Sequence, residues 1–182
     1  RDRYLKVYQN FKVGNVPILT QIVKDVTGNP LQANSNQLIN KIQYYAGDYG
    51  ISTHPESFAV DQYRMYFTDK SRGVVLRLSQ DGITELSSYG MRDYFRDRFN
   101  NMDDAQGSGR VIGGWDIHNS QYVVSTTTNI NSTDNSYETL SFDESVKGWT
   151  SLFDYKPNHI FSLNNDYFTA NSGKIYKHYT LE

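Results

Sequence analysis

Residues 66–77 and 167–177 are near copies of each other. The first reads Tyr66-Phe67-Thr68-Asp69-Lys70-Ser71-Arg72-Gly73-Val74-Val75-Leu76-Arg77. The second reads Tyr167-Phe168-Thr169-Ala170-Asn171-Ser172-Gly173-Lys174-Ile175-Tyr176-Lys177, one residue shorter in the turn. Each joins an aromatic strand to a second strand ending in a basic residue, through a polar turn closed by glycine. That is a β-hairpin pattern. A hairpin used twice constrains the chain to repeated antiparallel sheets, most simply a β-propeller or part of one. The repeat predicts that Tyr66 and Phe67 occupy places equivalent to Tyr167 and Phe168, with one aromatic of each pair in the core. Gly73 and Gly173 are expected to supply positive φ after their turns.

The rest of the chain reads mainly as β. Residues 4–11 and 18–26 are predicted strands around a turn at Gly14-Asn15. Residues 32–37 form a loop, and 38–45 form a strand. After a connector over 47–56, predicted strands at 57–60, 64–68, 73–79 and 83–86 are joined by tight turns, the recipe of one antiparallel blade. Further strands are predicted at 111–115, 121–127, 137–142, 149–153, 160–163, 166–169 and 174–179, with a polar tip over 128–136. One short amphipathic helix near 91–100 interrupts them. Met91, Tyr94, Phe95 and Phe99 share one face, which is expected on a sheet edge or a neighbouring chain as a candidate interface. The predicted organisation is residues 1–46 as strands of a preceding blade or an N-terminal extension, 47–180 as the repeated blade region, and 181–182 as a tail or cloning scar. The fold class is thus mainly β and propeller-like, as a partial or open propeller. The chain is expected to be a piece of something longer, or trimmed.

Composition narrows the function classes. Eighteen basic against 20 acidic residues, for a net charge of −2, argue against a nucleic-acid clamp, which needs excess Lys and Arg to displace counterions. No apolar run approaches the roughly 20 residues of a membrane span. With no cysteine, disulfides, zinc–thiolate sites and cysteine nucleophiles are excluded. Fifteen tyrosines suit half-buried strands, or a contact surface for sugars or proteins.

The constellations that carry chemistry read as structural. The run Leu78-Ser79-Gln80-Asp81-Gly82-Ile83-Thr84 resembles the Asp box of sialidase-type propellers, lacking one residue between Asp and Gly and the closing Trp. That box is a turn device in any case. His54, His118, His159 and His178 show no metal-ligand spacing. Asn129, Asn131, Thr133 and Asn135 alternate side-chain oxygens near Asp134 and Glu138, but a calcium loop would have carboxylates and a central Gly there. Asn131-Ser132-Thr133 fits a glycosylation sequon, with meaning only in a secreted eukaryotic chain. Asp61, Asp69, Asp81, Asp143, Glu144, Asp154 and Asp166 sit at turn positions, where a glycosidase would need two acids facing one cleft. Gly107-Ser108-Gly109-Arg110 lacks the Lys-Ser/Thr of a phosphate loop. No catalytic, cofactor or metal residue is assigned.

Residues 50–58, 66–73, 76–84 and 90–95, beginning Gly50-Ile51-Ser52-Thr53-His54-Pro55 and ending Gly90-Met91-Arg92-Asp93-Tyr94-Phe95, carry a family likeness. So do 139–151, from Thr139-Leu140-Ser141-Phe142 to Trp149-Thr150-Ser151, and Ser162-Leu163-Asn164-Asn165-Asp166 after it. Across residues 47–178 the chain resembles large virion structural proteins of tailed bacteriophages, including cyanophage and crAss-like phage relatives. The resemblance implies a structural, tail or tail-stabilisation role, located in the virion and assembled in the host cytoplasm. Its implied partners are other virion proteins in an oligomeric assembly; it implies no particular activity, and the chain is expected to be non-enzymatic and to use no cofactor. The full-length relatives are much longer than this chain. Two alternatives stay open from the residues themselves: an adhesin-type module holding host glycan, and a propeller glycan hydrolase.

Overall fold

Residues 4–18, 22–24, 27, 30–32, 41–102, 108–130 and 137–180 are described in a computed structural model of the chain. The first strands are β1 (Tyr4–Tyr8), β2 (Val13–Pro17), β3 (Ile22–Lys24), β4 (Pro30–Gln32) and β5 (Gln43–Tyr44). Next come β6 (Ala59–Val60), β7 (Met65–Asp69), β8 (Val74–Ser79) and β9 (Gly82–Glu85), then the helix α1 (Arg92–Asn100). The remaining strands are β10 (Arg110–Asp116), β11 (Gln121–Thr127), β12 (Tyr137–Asp143), β13 (Gly148–Phe153), β14 (His159–Leu163), β15 (Asp166–Asn171) and β16 (Lys174–Lys177).

These strands form four antiparallel sheets and a two-stranded ribbon, β3-β4, and none closes on itself. The first sheet has the order β1-β2-β5. The second is β6-β7-β8-β9, the third β10-β11-β12-β13 and the fourth β14-β15-β16, each a meander with neighbouring strands consecutive in sequence. The expected loop at 32–37, apart from residue 32, lies outside the described residues. So do Asn131, Thr133, Asp134 and Asn135 with the sequon, Gly107, and residues 181–182.

Three apolar layers hold the sheets in chain order, because alternate side chains of each strand point to opposite faces. Between the first and second sheets lie Val13, Ile51, Phe67, Val74, Leu76 and Leu78, with Tyr8 edge-on to Phe67 at 5.1 Å. Between the second and third lie Tyr66, Val75, Leu86, Val111, Tyr122, Val124, Leu140 and Phe142, together with Phe95 and Phe99 of the helix. Between the third and fourth lie Ile112, Val123, Ile160 and Tyr167. The second and third sheets are therefore covered on both faces.

Two neighbouring glycines set how closely the sheets approach. A Cβ on Gly113 would stand 2.0 Å from the Ser57 carbonyl oxygen, and one on Gly114 2.1 Å from Ile160 Cγ2. Strand β10 thus runs bare-backed between the short 3-10 turn Pro55–Ser57 on one side and β14 on the other. The Tyr122 hydroxyl donates to the same Ser57 carbonyl at 2.7 Å.

The helix has nine residues and no side-chain cap at Met91, so it depends on tertiary packing rather than on its own propensity. Its apolar face lies on the chain's own second and third sheets. Phe95 and Phe99 are fully buried there, which removes them from the candidate interface. Met91 and Tyr94 are only partly buried. On the flank, Arg98 is buried and donates to the Thr126 hydroxyl and carbonyl at 2.8 and 3.0 Å.

Two expectations near the N-terminus need correction. The turn predicted at Gly14-Asn15 lies instead at residues 9–12, where the Gln9 amide donates to the Lys12 carbonyl at 2.8 Å. Gly14 sits inside β2, where a Cβ would meet Ile42 Cγ2 at 2.6 Å. It is a packing glycine, not a turn glycine. Of the strand predicted over 38–45, residues 38–40 lie outside the described residues, and among 41–45 only Gln43–Tyr44 is strand.

Gly113→Ala should lower stability by at least about 1–3 kcal/mol, the usual cost of overpacking a tight core, because the obstructing atom is backbone. Chemical denaturation of the purified chain checks this. An unchanged midpoint would mean that the approach at Ser57 is not tight.

Candidate functional site

Both near copies are hairpins, but they are not equivalent. In the first, Asp69 pairs with Val74 across a four-residue turn, and Gly73 takes φ 70°. In the second, Asn171 pairs with Lys174 across the two-residue turn Ser172-Gly173, whose φ values of 49° and 77° fit a primed hairpin turn. The second turn is two residues shorter, while the sequence between the aromatic pair and the glycine is only one residue shorter. The register therefore shifts by one. Tyr66 lies opposite Arg77, whereas Phe168, not Tyr167, lies opposite Lys177.

A one-residue shift turns every side chain of a strand to the other face. Tyr66 faces the following sheet, whereas Tyr167 faces the preceding one. The expectation of one buried aromatic per pair is met by fully buried Tyr167 and partly buried Phe168. It fails for Tyr66 and Phe67, which are both fully buried, because the second sheet is covered on both faces. Gly73 carries a second constraint, since a Cβ there would meet Arg96 Cα of the helix at 2.9 Å. Gly173 faces open space.

The densest polar chemistry lies where the second and third sheets meet. Tyr66 stacks on Trp115 and Tyr122 with centroids 5.3 and 4.9 Å apart. Its hydroxyl donates to Glu144 Oε1 at 3.0 Å, and Arg77 Nη1 donates to Glu144 Oε2 at 2.6 Å. Glu144 sits in the turn between β12 and β13, so it reaches back across the sheet gap to hold both groups. Burial first, and the Glu144 carboxylate second, raise the Tyr66 pKa above the ordinary phenol value.

A cleft of about 450 Å³ opens beside this bridge, lined by Asp61, Arg64, Trp115, Asn119, Asp143 and Glu144 among others. Asp61 and the adjacent pair Asp143 and Glu144, distant from it in the sequence, thus share one cleft. The sequence shows them only as turn residues, and the packing of the second sheet on the third brings them together. Each is engaged. Asp61 accepts from the Gln62 amide at 2.6 Å. Asp143 accepts from the Ser145 hydroxyl and amide at 2.6 and 2.7 Å, which holds its pKa below the ordinary carboxylate value. With an aromatic wall, amide and guanidinium donors and carboxylate acceptors, the cleft has the chemistry to hold a hydroxyl-rich ligand.

The four histidines have different surroundings. His54 lines a second cleft with Arg110 and Asn158. His118 stacks on Tyr179 at 4.5 Å, and His159 on Phe161 at 5.9 Å. His178 Nε2 meets the Thr169 hydroxyl at 2.8 Å, and burial lowers its pKa. Among the described residues, no three or more His, Asp or Glu side chains gather as a metal site, and no helix is long and apolar enough to cross a membrane. Asp81 and Gly82 stand in and beside the β8–β9 turn, as the Asp-box-like run predicts. Buried Asp116 joins the last two sheets by accepting from the Tyr179 hydroxyl at 2.7 Å. Neither family models nor curated proteins match this chain.

Glu144→Ala strands the Arg77 guanidinium and the Tyr66 hydroxyl in a mostly buried gap. It should cost about 1.5–3 kcal/mol, the range for hydrogen bonds to charged groups. The same change in an Arg77→Met background should cost clearly less, as a double-mutant cycle reads. Additive costs would show that the bridge does not couple the sheets.

Proposed function

We propose that the chain is a non-enzymatic structural component of a bacteriophage virion, in the tail or its connector region, and that it works by docking β-sheet faces. In this reading the four sheets are successive blades of an open, propeller-like arc. Its partners are other virion proteins, and no cofactor takes part. The observation that carries the reading is the way the sheets join: wide aromatic faces closed by a bridging carboxylate, with the last sheet showing an apolar face of the same kind to solvent. Such a face marks an association surface in a folded protein. The resemblance of residues 47–178 to phage virion proteins supplies the setting.

A second reading, a host-glycan module of adhesin type, is favoured by one observation, the cleft that sets Trp115 among amide, guanidinium and carboxylate groups. A glycan array separates the two. Silence across the array fits docking. Binding of a defined sugar that disappears in a normally folded Trp115→Ala variant would favour the adhesin.

The direct test is to tag the chain in its phage and image gold-labelled particles. Label at a fixed place on the tail or connector is the expected result. Purified particles that lack the chain, or normal tails after its deletion, would overturn the virion reading.

A further inference from the structure

The register difference between the two hairpins has a consequence for the open end of the stack. Matched by pairing rather than by sequence, Phe168 stands where Tyr66 stands, Lys177 where Arg77 stands, and Phe161 where Ala59 stands. In the second sheet, this face receives two things from the sheet that follows: aromatic rings, Trp115 and Tyr122, and a carboxylate, Glu144. In the fourth sheet the same face is open. Phe161 and Phe168 stack on each other at 5.3 Å and are only partly buried, and Leu163 and Ile175 beside them are 59% and 67% exposed.

The open face carries both halves of the chemistry its counterpart requires. Asp166 pairs with Lys177 at 2.7 Å, and both are more than 40% exposed. A copy of this face, turned about a two-fold axis, offers Phe161 and Phe168 for the rings and Asp166 for the carboxylate. The strands of the first sheet, β1, β2 and β5, contain no Asp or Glu, and Asp48 beside them is already paired with Lys12. Pairing through the sheet edge is disfavoured as well. The edge strand β16 is four residues long and has an exposed lysine at each end, the common guard against strand addition.

We propose that a second copy of this chain packs its fourth sheet against this face, forming an isologous dimer. Across the axis each Lys177 meets the partner's Asp166, and Phe161, Leu163, Phe168 and Ile175 form the apolar centre. Closed two-fold pairing is the commonest symmetry of soluble oligomers. The inference rests on the reading that the chain acts by docking sheet faces, and names one partner for that docking.

Sedimentation equilibrium of the full chain over a range of concentrations is the test. The parent should be a dimer that dissociates on dilution. Phe168→Asp should weaken it about 30-fold or more, as loss of a central aromatic contact does. Circular dichroism and melting confirm that the variant is folded. If Phe168→Asp does not fold, Ile175→Asp, at a more exposed position, carries the same test. Lys177→Asp should weaken the dimer, and Lys177→Asp with Asp166→Lys should restore it.

A parent that stays monomeric would overturn the proposal. So would a dimer indifferent to the folded Asp variants, a charge swap no tighter than Lys177→Asp alone, or species that grow beyond a dimer. A monomeric parent that still enters particles would remove the self-association and leave the virion reading standing. A dimer absent from particles would do the reverse.

Discussion

Strand β10 is the constraint on which the rest of the stack depends. Its Gly113-Gly114 pair has no side chains to hold neighbours away, so the second sheet's leading turn and the fourth sheet's β14 both close on its backbone. Everything beyond that line is arranged by it. The gaps on either side fill with large rings, Tyr66, Tyr122, Phe95 and Phe142 on one side and Tyr167 on the other. The tyrosine-rich composition is thus a packing solution: rings fill the gap between sheets while their hydroxyls reach polar partners at its margin.

Those partners give the gaps their specificity. Apolar contact alone would let one sheet slide on the next. Glu144 takes Tyr66 and Arg77 from the second sheet, and Asp116 takes Tyr179 from beyond the fourth. Both carboxylates belong to the third sheet, Glu144 in the turn after β12 and Asp116 at the end of β10. Asp116 accepts from the His118 and Asn119 amides of the turn that follows it, so it is already ordered when it meets Tyr179 across the gap. The third sheet is the keystone for this reason as well as for its glycines.

Much of this was legible in the sequence. The hairpins, the second sheet, the meander order and the amphipathic helix follow from alternation, turn residues and 3.6-residue spacing, which are local properties. What was not legible is non-local. Gly14 reads as a turn residue because its packing partners, Tyr44 of β5 and Ile42 just before it, are distant in the sequence. Gly113 and Gly114 carry no local signal, because glycine inside a strand signals close approach only once the neighbour is known. Phe67 and Tyr66 are both buried because a sheet covered on two faces cancels the inside–outside alternation. The cleft acids Asp61, Asp143 and Glu144 read as ordinary turn residues, and each turn is local while their meeting is not.

The copied hairpins show the point most sharply. Their sequences align tyrosine with tyrosine, yet the change from a four-residue to a two-residue turn sets Phe168 opposite Lys177 and turns it toward solvent. The two-residue turn places Asn171 and Lys174 in a hydrogen-bonded pair, which makes Phe168–Lys177 and Ala170–Ile175 the closely spaced, non-hydrogen-bonded pairs of the ladder. Nuclear Overhauser spectra of the labelled chain test this directly. Strong contacts between the α-protons of Phe168 and Lys177, and of Ala170 and Ile175, are the predicted result. An α-proton contact between Tyr167 and Lys177 would restore the register of the first copy, bring Tyr167 to the outer face, and contradict the account.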